Sequence, residues 1–180
     1  SNLCCPTTTL NSHPMYVLGL SCFYHDAAAC LLQDGVPIAA ASEQAFSRKK
    51  HDERFPVHAI TWALSHAGIT MDQVSMVAFY DKPLVKFERI LKSHLAHFPK
   101  SFPQFFQGMP SWFSTKLRLD KILAREFGYT GAIIYGQHHR SHAASAFYAS
   151  GFDEATLLTV DGVGEWSTAT WGIGRGTEIE

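Results

Sequence analysis

Charge is sparse and nearly balanced. Lys, Arg, Asp and Glu make up 17% of the 180 residues, and the formal net charge is -1. Without a positive excess there is no electrostatic footprint for nucleic acid. No apolar run approaches membrane-spanning length, so no membrane partner is expected. Cysteine is confined to Cys4, Cys5, Cys22 and Cys30. They form no C-x-x-C and no secreted-type framework, which favours a reducing, cytoplasmic compartment. Residues 1–14 lack a basic region followed by an apolar core, so they do not read as a secretory signal. They read as a disordered leader, with Met15 as a natural start. Three familiar signatures are also missing. No Glu follows the first His of a pair as in H-E-x-x-H. No Gly-Lys-Ser/Thr closes a P-loop. No third Gly opens a helix after a dinucleotide-type turn.

What is present is a folded domain, with 46% hydrophobic residues in a length that can bury a core. Tyr16–Leu20, Ala27–Leu32 and Val36–Ala41 read as strands. Asp34-Gly35 between the last two is a hairpin signal. The chain therefore opens on an antiparallel three-strand meander. Helix and strand then alternate: a helix over 55–67 stopped by Gly68, a strand over 74–79, a helix over 84–98 ended by Pro99. A Phe- and Pro-rich loop over 100–110 follows, packed on its own domain or serving as a lid or partner surface. Ser111 is expected to cap a helix over 112–127, with Gly128 as its stop. A strand at 132–135, a His-rich helix and a strand pair at 155–160 and 167–173 complete an α/β order with no internal repeat.

The His-rich helix carries Gln137-His138-His139-Arg140-Ser141-His142. His138 and His142 stand four apart, which places two imidazoles on one helix face, one turn apart. Two such nitrogens can share a divalent ion, and a carboxylate usually completes the set. Asp161, at the end of an apolar strand and before Gly162-Val163-Gly164, is the candidate. The same pair could equally be packing or solvated histidines. Three further clusters bear chemistry. His25-Asp26 lies in the turn between the first two strands, where His25 can act as a base or phosphate contact, or simply as a turn residue. Arg48, Lys49, Lys50, His51 and Arg54 gather positive charge suited to a phosphorylated ligand. Asp52 and Glu53 interleave there, which also fits a solvated turn. The glycines after Asp161 let backbone approach an anion, or supply a hairpin turn.

Taken together, Gly19-Leu20-Ser21, His25-Asp26-Ala27-Ala28, Asp34-Gly35, Glu43 with Phe46, Arg48, Lys50-His51 and Phe55-Pro56, the His138–Ala143 run and Asp161–Trp166 resemble the N-terminal domain of the O-carbamoyltransferase family. That family includes nodulation-factor, cephamycin and tobramycin carbamoyltransferases. The resemblance covers about residue 15 to the end. It implies residues 15–180 as the N-terminal lobe of an actin-like fold (sugar kinase–Hsp70–actin, RNase H-like), related to the universal tRNA threonylcarbamoyladenosine protein. It implies a reaction in which carbamoyladenylate, made from carbamoyl phosphate and ATP, gives its carbamoyl group to a hydroxyl of a sugar, antibiotic or other natural product.

It also implies a divalent metal, iron or zinc, held by His138 and Asp161, with His142 as the further ligand in preference to His139. His25 is then a candidate for transfer chemistry, and Arg48 and Lys50 candidate contacts to the carbamoyl or phosphate group. Gly162, Val163 and Gly164, with Asp161, would line the adenylate. A second lobe and a YrdC-like domain would act with this one, in cis or in trans, and this portion alone would not catalyse transfer. Rival readings are another ATPase or kinase of the same fold, and a non-catalytic metal- or partner-binding module.

Overall fold

The computed structural model describes residues 14–24, 26–100, 103, 105–106, 118–162 and 166–180. The leader 1–13, His25, most of the Phe-rich loop, the Ser111 cap and Val163 to Glu165 lie outside the described residues.

β1 (Tyr16–Ser21), β2 (Ala28–Gln33) and β3 (Val36–Ser42) pair antiparallel, with Leu18 opposite Leu31 and Ala29 opposite Ala41. Their hairpin turns at Asp34 and Gly35, with φ of 50° and 84°. Two successive positive φ values make the tight turn whose twist matches the strands, which is why Asp-Gly is favoured there. β4 (Val74–Phe79) runs parallel to β1, and β5 (Ala132–Tyr135) parallel to β4. The sheet order is β3-β2-β1-β4-β5. This is the expected α/β class, with a mixed sheet that opens on the antiparallel three-strand meander.

One core fills the space between this sheet and its helices. Leu18, Leu31 and Val77 are fully buried with Ala59, Ile60 and Ala63 of α2 (Val57–Ala67) and Leu123 of α4 (Leu119–Phe127). Each buried aliphatic of this size contributes roughly 1.5–3 kcal/mol. α2 begins at Val57, two residues later than its periodicity suggests. The backbone before a proline is driven out of the helical region, so Phe55 cannot join. No residue at the helix start caps it; buried Glu43, beside the short α1 (Gln44–Ser47), does so from the side. Its carboxylate accepts the backbone N–H of Ala59 at 2.9 Å and the Nδ1–H of His58 at 2.5 Å.

α3 (Pro83–Ala96) buries no residue fully. α4 starts at Leu119, inside the expected 112–127 span; Arg118 before it is out of helical geometry at φ -127° and ψ 34°, and residues 111–117 lie outside the described residues. The last strands do not extend the first sheet. β6 (Glu154–Val160), β7 (Ala169–Arg175) and a short β8 (Glu178–Ile179), which the sequence did not signal, form their own antiparallel sheet. One face of it packs on α5 (His138–Ser150) through Leu157, Ala143 and Phe147. Phe147 lies against Gly174, where a Cβ would come within 2.7 Å of the ring. Leu158, Val160 and Trp171 stand exposed on β6 and β7. Among the described residues no helix is long and apolar enough to cross a membrane.

Candidate metal centre

α5 uses two neighbouring stripes for two purposes. His139, Ala143 and Phe147, spaced by four, are buried. Ala143 and Phe147 pack on the second sheet, while His139 is locked to it by hydrogen bonds. Its Nε2 reaches the Ser167 carbonyl at 2.6 Å, so that nitrogen carries the proton. Its Nδ1 then accepts from Thr159 Oγ1 at 2.8 Å, and the Thr159 hydroxyl in turn accepts from Thr170 at 2.6 Å. With both ring nitrogens engaged, His139 is a clamp on the turn that Asp161 opens. The backbone closes the same turn, Asp161 N–H donating to the Thr168 carbonyl at 2.7 Å.

The second stripe is His138 and His142, one residue round the helix and aimed at the end of β6. His138 Nε2 lies 2.6 Å from Asp161 Oδ2 and 3.1 Å from His142 Nε2, and His142 Nε2 lies 3.7 Å from the same carboxylate oxygen. A tetrahedral ion at 2.0–2.2 Å from each donor would set donors roughly 3.3 Å apart, and the three separations bracket that value. Two imidazole nitrogens and one carboxylate oxygen form a donor set for iron, zinc or manganese. The side chain of His138 is 8% exposed whereas that of His142 is 53% exposed, so the cluster is anchored on its inner side and open on its outer side. An open side is what a catalytic rather than a structural metal needs. His138 Nδ1 is buried without a hydrogen-bond partner among the described residues.

Local features hold the helix start in place. Ser141 Oγ donates to the Tyr80 carbonyl at 2.8 Å, and Gly136 N–H donates to the Phe79 carbonyl at 2.8 Å. A Cβ at Gly136 would stand 2.9 Å from Ser141 Oγ, so glycine permits this approach. The cluster thus sits beside the carboxyl ends of β4 and β5, where parallel sheets place their ligands.

The loop that carries Arg48 and Lys50 lies beside the carboxyl end of β1, and His25 itself lies outside the described residues. The turn that holds His25 is pinned to the basic loop: Phe23 N–H donates to the Glu53 carbonyl and Ala27 N–H to the Asp52 carbonyl, both at 2.7 Å. His51 Nδ1 and Asp26 Oδ1 lie 3.0 Å apart. Phe23, Asp26, Arg48 and His51 all have positive φ, between 49° and 72°. Strain of this kind persists only where surrounding structure fixes it, and it concentrates at functional sites. Arg48 and Lys50 are exposed on this loop. The solvated-turn reading fails at Asp52, which has no exposed surface and holds Arg54 through 2.6 and 2.8 Å bonds. Those bonds, with one from Ser47, keep its carboxyl far below the ordinary range. Cys22 is buried, and burial pushes its thiol well up, which removes it as a nucleophile. Gly162 directly follows Asp161, and among the described residues nothing stands within 4 Å of where its Cβ would be; Val163 and Gly164 lie outside the described residues.

Sequence reasoning missed Tyr80 and Asp81. Tyr80 packs 5.7 Å from the His138 ring, centroid to centroid. Its hydroxyl is pushed up, first by burial and then by the nearby charges of Asp81 and Asp161. Their position directly after a parallel strand was the available signal.

Comparison with known proteins gives the family. The family model described as "Carbamoyltransferase N-terminus" matches residues 16–180. The uncharacterized protein sll1178 of Synechocystis sp. is 43% identical over 172 residues, covering 91% of this chain and 28% of that protein. Nodulation protein NolNO of Sinorhizobium fredii is 35% identical over 164 residues, covering 88% and 22%. The chain therefore spans about a quarter of the length of these curated relatives. Among solved structures, YeaZ from Pseudomonas aeruginosa aligns with 92% of this chain and 63% of its own at a TM-score of 0.45 and 12% identity.

Proposed function

The chain belongs to the carbamoyltransferase N-terminus family, and on that premise we propose that it is the N-terminal part of an O-carbamoyltransferase. The enzyme would form carbamoyladenylate from carbamoyl phosphate and ATP and pass its carbamoyl group to a hydroxyl of a sugar, antibiotic or related small molecule. The observation that supports this beyond family membership is the convergence of His138, His142 and Asp161 from two separate elements. A kinase of this fold has no need of such a site.

In the transfer, the acceptor oxygen bonds the carbamoyl carbon and the anhydride bond to phosphate oxygen breaks. AMP leaves with the electron pair, and the hydroxyl proton passes to a base. His25 is proposed as that base, on the strained turn held against the basic loop. Arg48 and Lys50, exposed beside it, are proposed to hold charge that builds on the carbamoyl or phosphate oxygens. Gly162, with Val163 and Gly164, is proposed to admit the adenylate phosphate close to backbone, as the absence of a side chain at Gly162 allows. His138, His142 and Asp161 would hold one divalent ion, iron or zinc. When bound, that ion supplies Lewis-acid stabilisation of phosphate charge. The second lobe and the YrdC-like domain are proposed partners in the same enzyme.

The test is AMP formation by the enzyme that carries this chain, supplied with ATP, carbamoyl phosphate and a hydroxylated acceptor. The expected result is AMP release that requires both carbamoyl phosphate and the acceptor and falls by about a hundredfold or more in Lys50→Ala. AMP or ADP formation that is indifferent to carbamoyl phosphate would refute the reading in favour of another ATPase.

A further inference from the structure

A metal-bound imidazole is held in orientation by a hydrogen bond from its other ring nitrogen to a carboxylate, a carbonyl or water. His138 lacks that device. It turns Nε2 to the cluster, 2.6 Å from Asp161 Oδ2 and 3.1 Å from His142 Nε2. Its Nδ1 is buried without a hydrogen-bond partner among the described residues. The plane of this ring is therefore fixed by packing. Two rings border it. His139 stands 5.8 Å away, centroid to centroid, and is itself locked by Thr159 and Ser167. Tyr80 stands 5.7 Å away.

Tyr80 has a second hold on the histidine helix, because its carbonyl accepts Ser141 Oγ at 2.8 Å across 61 positions. A serine inside a helix commonly bonds back to the carbonyl one turn earlier. Ser141 Oγ does reach the Gln137 carbonyl, but at 3.1 Å, so its one proton favours Tyr80. Ser141 directly precedes His142 and follows His138 by three, so this bond sets the rotation of the turn that carries both imidazoles. Tyr80 is in turn fixed to the first sheet. Its N–H donates to the Leu20 carbonyl at 3.4 Å, and its ring packs 4.9 Å from that of buried Phe79. Asp161 instead follows β6 of the second sheet. The Ser141–Tyr80 bond thus ties the two histidines to one sheet while their carboxylate partner comes from the other.

We infer that Tyr80 and Ser141 are positioning residues of the metal centre. The Tyr80 ring sets the plane of His138 in place of a bond at Nδ1. The Tyr80 carbonyl, through the Ser141 hydroxyl, sets the rotation of the turn that carries His138 and His142. Neither is assigned as a ligand. The inference rests on the metal reading of the cluster and adds the dependence of that site on the end of β4.

Cobalt(II) titration of the 180-residue chain tests it, read by dissociation constant and by the visible absorption of the bound ion, which reports ligand geometry. Ser141→Ala and Tyr80→Ala should each weaken binding about tenfold or more and alter the spectrum. Tyr80→Phe, which keeps the ring and the carbonyl, should retain the parent affinity and spectrum. Gly136→Ala should mimic Ser141→Ala, since its Cβ would stand 2.9 Å from Ser141 Oγ and turn the hydroxyl away. The Gly136→Ala, Ser141→Ala double variant should bind no more weakly than either single one, because both break the same bond. Ile60→Val, in the first core, should lower stability and leave cobalt binding unchanged. Circular dichroism confirms that each variant is folded. Parent affinity and spectrum in Ser141→Ala, or Tyr80→Phe as impaired as Tyr80→Ala, would overturn the inference. A folded parent chain that binds no cobalt would remove the metal reading itself, and the inference with it.

Discussion

A divalent ion should raise the melting temperature of this chain, and His142→Ala should abolish the rise. The ligand separations of 2.6, 3.1 and 3.7 Å need only small adjustments to meet an ion, so little folding energy is spent in forming the site. A ligand at a hundred times its dissociation constant stabilises the folded state by about 2.7 kcal/mol. In a chain of this length each kcal/mol moves the midpoint by roughly 2–4 °C, so a rise of about 5–10 °C is expected. His142 makes the sharpest variant because its side chain is 53% exposed. Its loss without metal should change stability by no more than about 0.5 kcal/mol. His138 is a poorer choice, since its buried ring would leave a void. The assay is differential scanning fluorimetry with zinc, or with ferrous iron under anaerobic conditions, reversed by chelator. Equal rises in the parent chain and His142→Ala would refute the assigned ligands. No rise at saturating metal would refute the site.

Two further outcomes test the scaffold. The Asp52 carboxyl is held below its ordinary value of 3.8, first by its bond to Arg54. A group depressed on folding stabilises above its unfolded value and loses that contribution as pH falls through the folded one. Asp52→Asn should therefore lower the melting midpoint at neutral pH, with the gap to the parent chain narrowing as pH drops below about 4; a gap constant with pH would refute the ionised role. Gly174→Ala would bring a methyl within 2.7–2.8 Å of the Phe147 ring and should cost about 1–3 kcal/mol in urea unfolding. Phe147→Leu should recover part of that loss, and a neutral Gly174→Ala would show that α5 packs otherwise.

The opening meander was legible because its signals are local. Short apolar runs and Asp34-Gly35 define pairing within twenty residues. Helix ends at Gly68 and Gly128 were legible for the same reason, both glycines taking positive φ. The start of α2 was not, because its cap is Glu43, outside any capping spacing. Asp52 illustrates the converse. A carboxylate in a run of charges reads as solvated, yet the turn it supports encloses it completely.

For the metal cluster the division is sharp. The sequence by itself determined that His138 and His142 share a face, since helical period alone sets that. It also placed Asp161 at a strand end. Only tertiary structure brought Asp161 to His138 across twenty-three positions. That step depends on the pairing of β6 with β7, on Phe147 against Gly174, and on the His139 bonds to Thr159 and Ser167. The bond from Ser141 to Tyr80 belongs wholly to the tertiary level, because it joins α5 to the end of β4 across 61 positions. Local rules act over a few residues; which distant segments meet is decided by the packing that buries their apolar faces together.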